Sequence, residues 1–176
     1  EGFEIVKLPV LKNGLVNLEE LKKELNDKTI LVSITSADSE TGTIQPISEI
    51  SKIIKEYAEG ALLHTDASQS AGYLDINVKK LGVDMMTLSA HKIYGPKGVA
   101  GLYVKRGTKI NPIIYGGEQN KLRSGTENVP GIVGFTQALS LCNKNKKKEF
   151  VRIKKMRDTL EKGIFKTIPK VILNGH

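Results

Sequence analysis

The stretch His64–Arg106, HTDASQSAGYLDINVKKLGVDMMTLSAHKIYGPKGVAGLYVKR, decides how this chain folds. It holds apolar runs of strand length, each closed by polar residues: "ALLHTD" ends on Asp66, "DMMTLSA" leads into His91 and Lys92, and "VAGLYVK" follows a Gly-Pro pair. Upstream, "TILVSIT" has the same strand length and β-branched content. Between these runs lie helical patterns. "ISEISKIIKEYAEG" places Ile47, Ile50, Ile54 and Tyr57 inward with Gly60 as a C-terminal stop. "NLEELKKELN" places Leu18, Leu21 and Leu25 on one stripe, with Asn17 as N-cap and Glu20 completing a capping box. Short strands alternating with amphipathic helices predict an α/β layered fold whose largely parallel sheet is covered on both faces.

In such sheets, ligands gather beyond the carboxyl ends of the strands, where the polar clusters fall. Ser39 and Glu40 follow "ILVSIT", Asp66 and Gln69 follow "ALLH", and Ser89, His91 and Lys92 follow "DMMTL". A lysine and a carboxylate in one crevice suggest an aldehyde cofactor held through the amine, and pyridoxal phosphate would use each group. The amine condenses with the aldehyde. A carboxylate keeps the pyridine nitrogen protonated and the ring electron-accepting. Hydroxyl and imidazole groups hold the phosphate. The turn at Gly95 and Pro96 fixes the loop behind the lysine and lacks the spacing of a Walker phosphate loop. Singly, each residue has a plainer reading: Asp66 as a helix cap, Lys92 as a solvated lysine, His64 as a satisfied core histidine on the same side of its strand as Asp66.

Taken together, the 64–106 stretch and "LRSGTENVPGIVGF" resemble the pyridoxal-phosphate domain of class I cysteine desulfurases, the NifS/IscS type within the class V aminotransferase group. The resemblance runs from "EGFEI" to "VILNGH" and implies the large domain of a fold type I pyridoxal-phosphate-dependent transferase, incomplete at both ends. It divides the chain into the central part of that domain (1–130), a long linking helix (131–168) and the start of a C-terminal small domain (169–176). Residues 1 and 171–173 are expected to lie in strands. Lys92 is similar to the family's cofactor-bearing lysine, which also shuttles a proton at the substrate's α-carbon. Asp66 matches the partner of the pyridine nitrogen, Gln69 the donor to the phenolic oxygen, and Ser89 and His91 phosphate ligands. Thr126 matches a phosphate contact supplied from the opposite subunit, which implies a homodimer.

Three positions depart from the family pattern. Asp38 and Ser39 stand where it has an asparagine at the cofactor ring, and Ser39 is too short to make that contact. Ala90 replaces a glycine. Glu118 also replaces a glycine and would set a carboxylate near an anionic cofactor. The resemblance places the persulfide-forming cysteine, the ring-stacking histidine and the substrate-carboxylate arginine outside these 176 residues. The implied activity of the parent is conversion of L-cysteine to alanine and an enzyme-bound persulfide, passed to a sulfur-acceptor scaffold protein for iron–sulfur or thio-cofactor assembly. Alternatives are another class V activity, such as selenocysteine lyase or an aminotransferase, or a non-catalytic domain on the same fold.

Composition narrows the remaining classes. The chain has 176 residues, 39% hydrophobic and 26% charged, with a net charge of +8. Lys144–Arg157 carries eight basic residues against Glu149, a net +7, which leaves about +1 for everything else. Val151, Ile153, Met156, Leu160 and Ile164 recur there at helical spacing, so the charge reads as the wet face of an amphipathic helix, not a nucleic-acid surface. With no tryptophan and only 5% aromatic residues, there is little to stack bases on. Cys142, the one cysteine, reads as a small packed hydrophobe and excludes an internal disulfide. His64, His91 and His176 show no metal-ligand spacing. No run is long enough to span a membrane and no signal-peptide pattern opens the chain, so a cytoplasmic protein is expected.

Overall fold

The computed structural model describes residues 2–117 and 119–175. Glu118, one of the departures noted above, lies outside them. Four strands form one sheet in the order β1-β2-β3-β4: β1 Leu31–Thr35, β2 Leu62–Asp66, β3 Met85–Ser89 and β4 Ala100–Val104. The first three are parallel, with Thr35 opposite Asp66 and Asp66 opposite Thr87. β4 runs antiparallel, with Ser89 opposite Ala100. The reversal follows from chain length, because only residues 90–99 separate β3 from β4. A parallel return needs a crossover of a dozen or more residues.

Two helices form as the pattern predicts. α1 (Leu18–Glu24) starts at Asn17, whose side chain accepts from the Glu19 and Glu20 N–H groups. The capping box is not completed: Glu20 pairs with Lys23 instead, and the Asn17 N–H donates to the Pro9 carbonyl. α2 (Ile47–Tyr57) buries Ile47, Ile50, Ile53 and Ile54 against the sheet. Tyr57, expected inward, is 45% exposed, because the helix ends there and Ala58 takes the buried place. Gly60 (φ +98°) turns the chain into β2 in the left-handed region that favours glycine. A third, one-turn helix, α3 (Val78–Leu81), is capped by the Asn77 side chain.

Alternation along the strands separates the two faces of the sheet. Val32, Ile34, Leu63 and Met86 are buried with α1 and α2 in one core, Ile50 being fully inaccessible. A smaller core of Ala71, Ile93 and Ala138 joins the sheet to the last helix, α4 (Val129–Thr167). Leu88 contributes to both cores, so the described helices lie on one side of the sheet. The other face carries Ser33, Thr35, His64, Asp66, Thr87 and Ser89, all exposed or half-buried.

α4 is 39 residues long, about 58 Å at the rise of an α-helix. Asn128 caps it, and Lys146 Nζ donates to the Leu74 carbonyl at 2.7 Å. Beyond that tie, Val151, Met156 and Leu160 are 67%, 60% and 66% exposed, since no described element packs on them. The expected apolar stripe is therefore present in the helix but uncovered. Residue 1, expected in a strand, lies outside the described residues; residues 2–9 are irregular, Val10 pairs with Val16 in an isolated bridge, and the strand expected at 171–173 does not form.

Candidate active site

The open face of the sheet brings the polar strand ends together. Asp66 closes β2, and its backbone is fixed from both neighbours: the Ser36 N–H donates to its carbonyl, and the next N–H, of Ala67, donates to the Thr87 carbonyl. Its carboxylate accepts the Ser68 N–H at 2.8 Å, an Asx turn that aims the group out of the strand end. No helix directly follows Asp66, so the plainer reading as a helix cap is corrected to an Asx turn through one oxygen, and the other oxygen has no hydrogen bond within the described residues. Gln69 lies half-buried in the turns that follow, with no side-chain hydrogen bond among the described residues.

On the adjacent strand, β3 ends at Ser89 and gives way to a 3-10 turn, Ala90–Ile93, which carries His91 and Lys92. Ser89 Oγ and His91 Nδ1 are 3.0 Å apart, so the two expected phosphate ligands form one hydrogen-bonded pair. Lys92 is exposed, and its amine makes neither hydrogen bond nor ion pair among the described residues.

Small residues set the position of this turn. The Tyr94 and Gly95 N–H groups both donate to the Ala90 carbonyl, and Tyr94 takes a left-handed conformation (φ 64°) to close the turn. A Cβ at Gly95 would lie 2.9 Å from the Ala90 oxygen and 3.2 Å from Ala138 Cβ, and one at Gly134 would lie 3.0 Å from Pro96 Cγ. The Gly-Pro pair is therefore wedged onto α4, directly after the turn that carries Lys92. Beside it runs a groove of about 310 Å³ whose lining includes Tyr73, Lys92, Tyr94 and Cys142. Cys142 Sγ is 3.7 Å from the Ile93 carbonyl oxygen, as suits a packed thiol on α4.

The remaining candidates behave differently. Thr126 sits exposed in the loop before α4 and makes no hydrogen bond to the strand-end residues. Asp38 is committed to its own turn: one carboxylate oxygen accepts from the Glu40 N–H (3.0 Å), the Thr41 N–H (2.7 Å) and the Thr41 hydroxyl (2.8 Å). These donors, the Thr41 N–H above all, hold its carboxyl below the usual range. Ser39, exposed on the same turn, is left as the residue facing solvent.

Sequence reasoning gave His64 no role beyond a satisfied core residue. It is indeed satisfied, but on the open face: Ser33 Oγ lies 2.7 Å from Nδ1 and Thr87 Oγ1 lies 2.9 Å from Nε2. Burial lowers its pKa below the ordinary value, with Asp66 acting weakly in the opposite direction. The signal available in sequence was the period-two recurrence of Ser33 and Thr35, His64 and Asp66, and Thr87 and Ser89, which puts six polar side chains on one sheet face.

A lysine on a turn after one parallel strand and a carboxylate at the end of the next define the large-domain layout of fold type I pyridoxal-phosphate enzymes. The chain belongs to the aminotransferase class-V family, whose model matches residues 1–176. Among curated proteins it is similar to the cysteine desulfurase IscS of Dictyoglomus turgidum, 50% identical over 99% of this chain and 44% of the relative. It is 48% identical to the cysteine desulfurase IscS of Methanosarcina thermophila, over 100% of this chain and 43% of that protein. A solved NifS-like protein superimposes with a TM-score of 0.91 at 42% identity, covering 94% of this chain and 46% of the other. A structure of SspA in complex with cysteine superimposes at 0.74 with 38% identity, over 79% and 40% of the two chains. The chain thus spans less than half the length of the curated relatives it matches.

Proposed function

We propose that this chain is the central part of a cysteine desulfurase, a pyridoxal-phosphate enzyme whose parent converts L-cysteine to alanine and a protein persulfide. The observation that carries the reading is the placement of the Asp66 carboxylate at the end of β2 and of Lys92, its amine unengaged among the described residues, on the turn that ends the neighbouring strand β3. The donor set fits the cofactor: an amine for its aldehyde, an anion for its ring nitrogen, an amide at Gln69 with no protein partner, and the Ser89–His91 pair for its phosphate. When bound, pyridoxal phosphate supplies an aldehyde and a ring that accepts electron density from the substrate's α-carbon.

Each residue of the chain then has a task. Lys92 anchors the cofactor through Nζ and moves a proton to or from the substrate's α-carbon, within reach because the 3-10 turn is wedged on α4. Asp66 holds a proton at the pyridine nitrogen; the Asx turn to Ser68 orients the carboxylate for it. Gln69 donates its amide N–H to the phenolic oxygen, and Ser89 with His91 binds the phosphate. Thr126, exposed in the loop before α4, would reach the partner subunit's phosphate in a homodimer. Cys142 is packed on α4 against Ile93, so the sulfur-accepting thiol is supplied from outside these residues.

The names of the curated relatives and the cysteine-bound SspA structure support cysteine as substrate. A cytoplasmic location and a sulfur-acceptor scaffold belong to the same reading. Among the described residues, no helix is long and apolar enough to cross a membrane. The test is product analysis on the full-length parent given L-cysteine. Alanine and sulfide formation that is lost in Lys92→Ala is expected. Alanine at the wild-type rate in that variant, or a keto acid as the main product, would contradict the proposal.

A further inference from the structure

Three hydroxyl and imidazole groups cross the open face of the sheet in one hydrogen-bonded belt. Ser33, the register partner of His64 on β1, meets His64 Nδ1 at 2.7 Å, and His64 Nε2 reaches diagonally to Thr87 on β3 at 2.9 Å, so both ring nitrogens are used and three strands are tied together. The belt lies directly beside Asp66. His64 precedes it by two residues on the same face of β2, and Thr87 is its register partner on β3. Thr87 also accepts, through its carbonyl, the N–H that follows Asp66.

Packing alone does not account for this arrangement. On the covered face the same strands carry Val32, Ile34, Leu63 and Met86, whereas on the open face Ser33, His64 and Thr87 stand among Leu31, Leu62 and Met85 and bond one another across the strands. The imidazole can rotate neither toward solvent nor toward Asp66 without giving up a hydrogen bond. Burial disfavours its charged form, outweighing the attraction of Asp66. On the strands packed against it, Ser33 and Thr35 of β1 and Met85 and Thr87 of β3 bring no charge, which leaves Asp66 as its ionisable neighbour on that face. A ring locked between two hydroxyls in this place gives Asp66 a polar floor that makes no ion pair with it. The carboxylate's charge is then free for a cationic partner above the strand end.

We infer that His64 is a positioning residue: through Ser33 and Thr87 it fixes the floor beneath Asp66 and thereby sets how firmly that carboxylate holds a protonated ring nitrogen. The inference rests on the cofactor-binding reading given above.

The test uses the full-length parent, titrated with pyridoxal phosphate and followed by the visible absorption of the bound cofactor across pH. Thermal melting of each variant without cofactor is measured in parallel. His64→Leu removes the belt and is expected to weaken cofactor affinity about three- to tenfold, the worth of one hydrogen bond, and to move the pH midpoint of the visible band. His64→Gln, whose amide both donates and accepts, should restore affinity to within about twofold. Val32→Ala, on the covered face of the same sheet, should lower the melting temperature without moving affinity or midpoint. Wild-type affinity and midpoint in His64→Leu would overturn the inference, as would losses of affinity that track melting temperature equally in His64→Leu and Val32→Ala. A wild-type parent that shows no saturable visible band would overturn the cofactor reading itself, a result distinct from either.

Discussion

Asp38 and Ser39 occupy one turn and do different work. Asp38 is a turn former, its carboxylate surrounded by the Thr41 and Glu40 N–H groups and the Thr41 hydroxyl. Because these donors depress its folded pKa, it contributes stability above the ordinary carboxylate value near 3.9, and this is lost as pH falls through the lower, folded value. Asp38→Asn should therefore flatten the fall of melting temperature between about pH 5 and 3; an unchanged slope in thermal melts would show that other carboxylates set it. On the cofactor reading proposed above, Ser39 stands where the resemblance sets an asparagine side chain at the cofactor ring. Ser39→Asn in the full-length parent should tighten pyridoxal-phosphate binding about three- to tenfold, read by equilibrium titration. Unaltered or weaker binding would mean that the turn holds position 39 away from the ring. At this scale the sequence was informative where a residue type has few uses, as for Lys92 after Ser-Ala-His. It was silent on His64, whose role depends on hydroxyls 31 and 23 residues away.

Among elements, the contact of α4 with the lysine turn couples packing to chemistry. Gly134 and Ala138, one helical turn apart, present a small-residue surface onto which Pro96 and Gly95 fit. Gly134→Ala would place a methyl 3.0 Å from Pro96 Cγ and displace the turn that carries Lys92. The variant should melt within a few degrees of wild type, because alanine favours the helix, yet bind cofactor more weakly. Undiminished affinity would mean that Pro96 gives way without moving the lysine. Ile50, fully buried between α2 and the sheet, has no part in the site, so Ile50→Ala should cost about 2–5 kcal/mol of folding stability in denaturant titrations. β1, β2, β3 and α2 were legible because their apolar residues recur at strand or helix spacing and fill one core, while β4 was legible from its β-branched and aromatic run alone. The Glu20 half of the capping box was not, since Lys23, one turn on in α1, competes for the same carboxylate.

At the scale of the molecule, the chain has one well-covered sheet face and one open face of mixed polarity, at whose strand ends Asp66 and Ser89 lie. Its basic character is concentrated on the second half of α4, where Glu149–Arg152 and Arg157–Asp158 pairs share the surface with exposed Phe150, Met156 and Leu160. In the isolated 176-residue chain, amide hydrogens from Phe150 to Phe165 should exchange far faster than those of α2, because few contacts hold that half of the helix. Equal protection in both helices would show that something covers it. Sequence periodicity gave the stripe but not its covering, because a hydrophobic pattern states that a face wants a partner without naming one. The family match accounts for the rest of the architecture, and the chain spans less than half of its relatives' length.

The central claim is that Lys92 and Asp66 mark a pyridoxal-phosphate site, and the most direct measurement is one intact-mass spectrum of the full-length parent after incubation with the cofactor and borohydride reduction. The account predicts a single cofactor adduct that maps to Lys92 and disappears in Lys92→Ala. An unlabelled wild-type protein, or an adduct that persists in the variant, would contradict it.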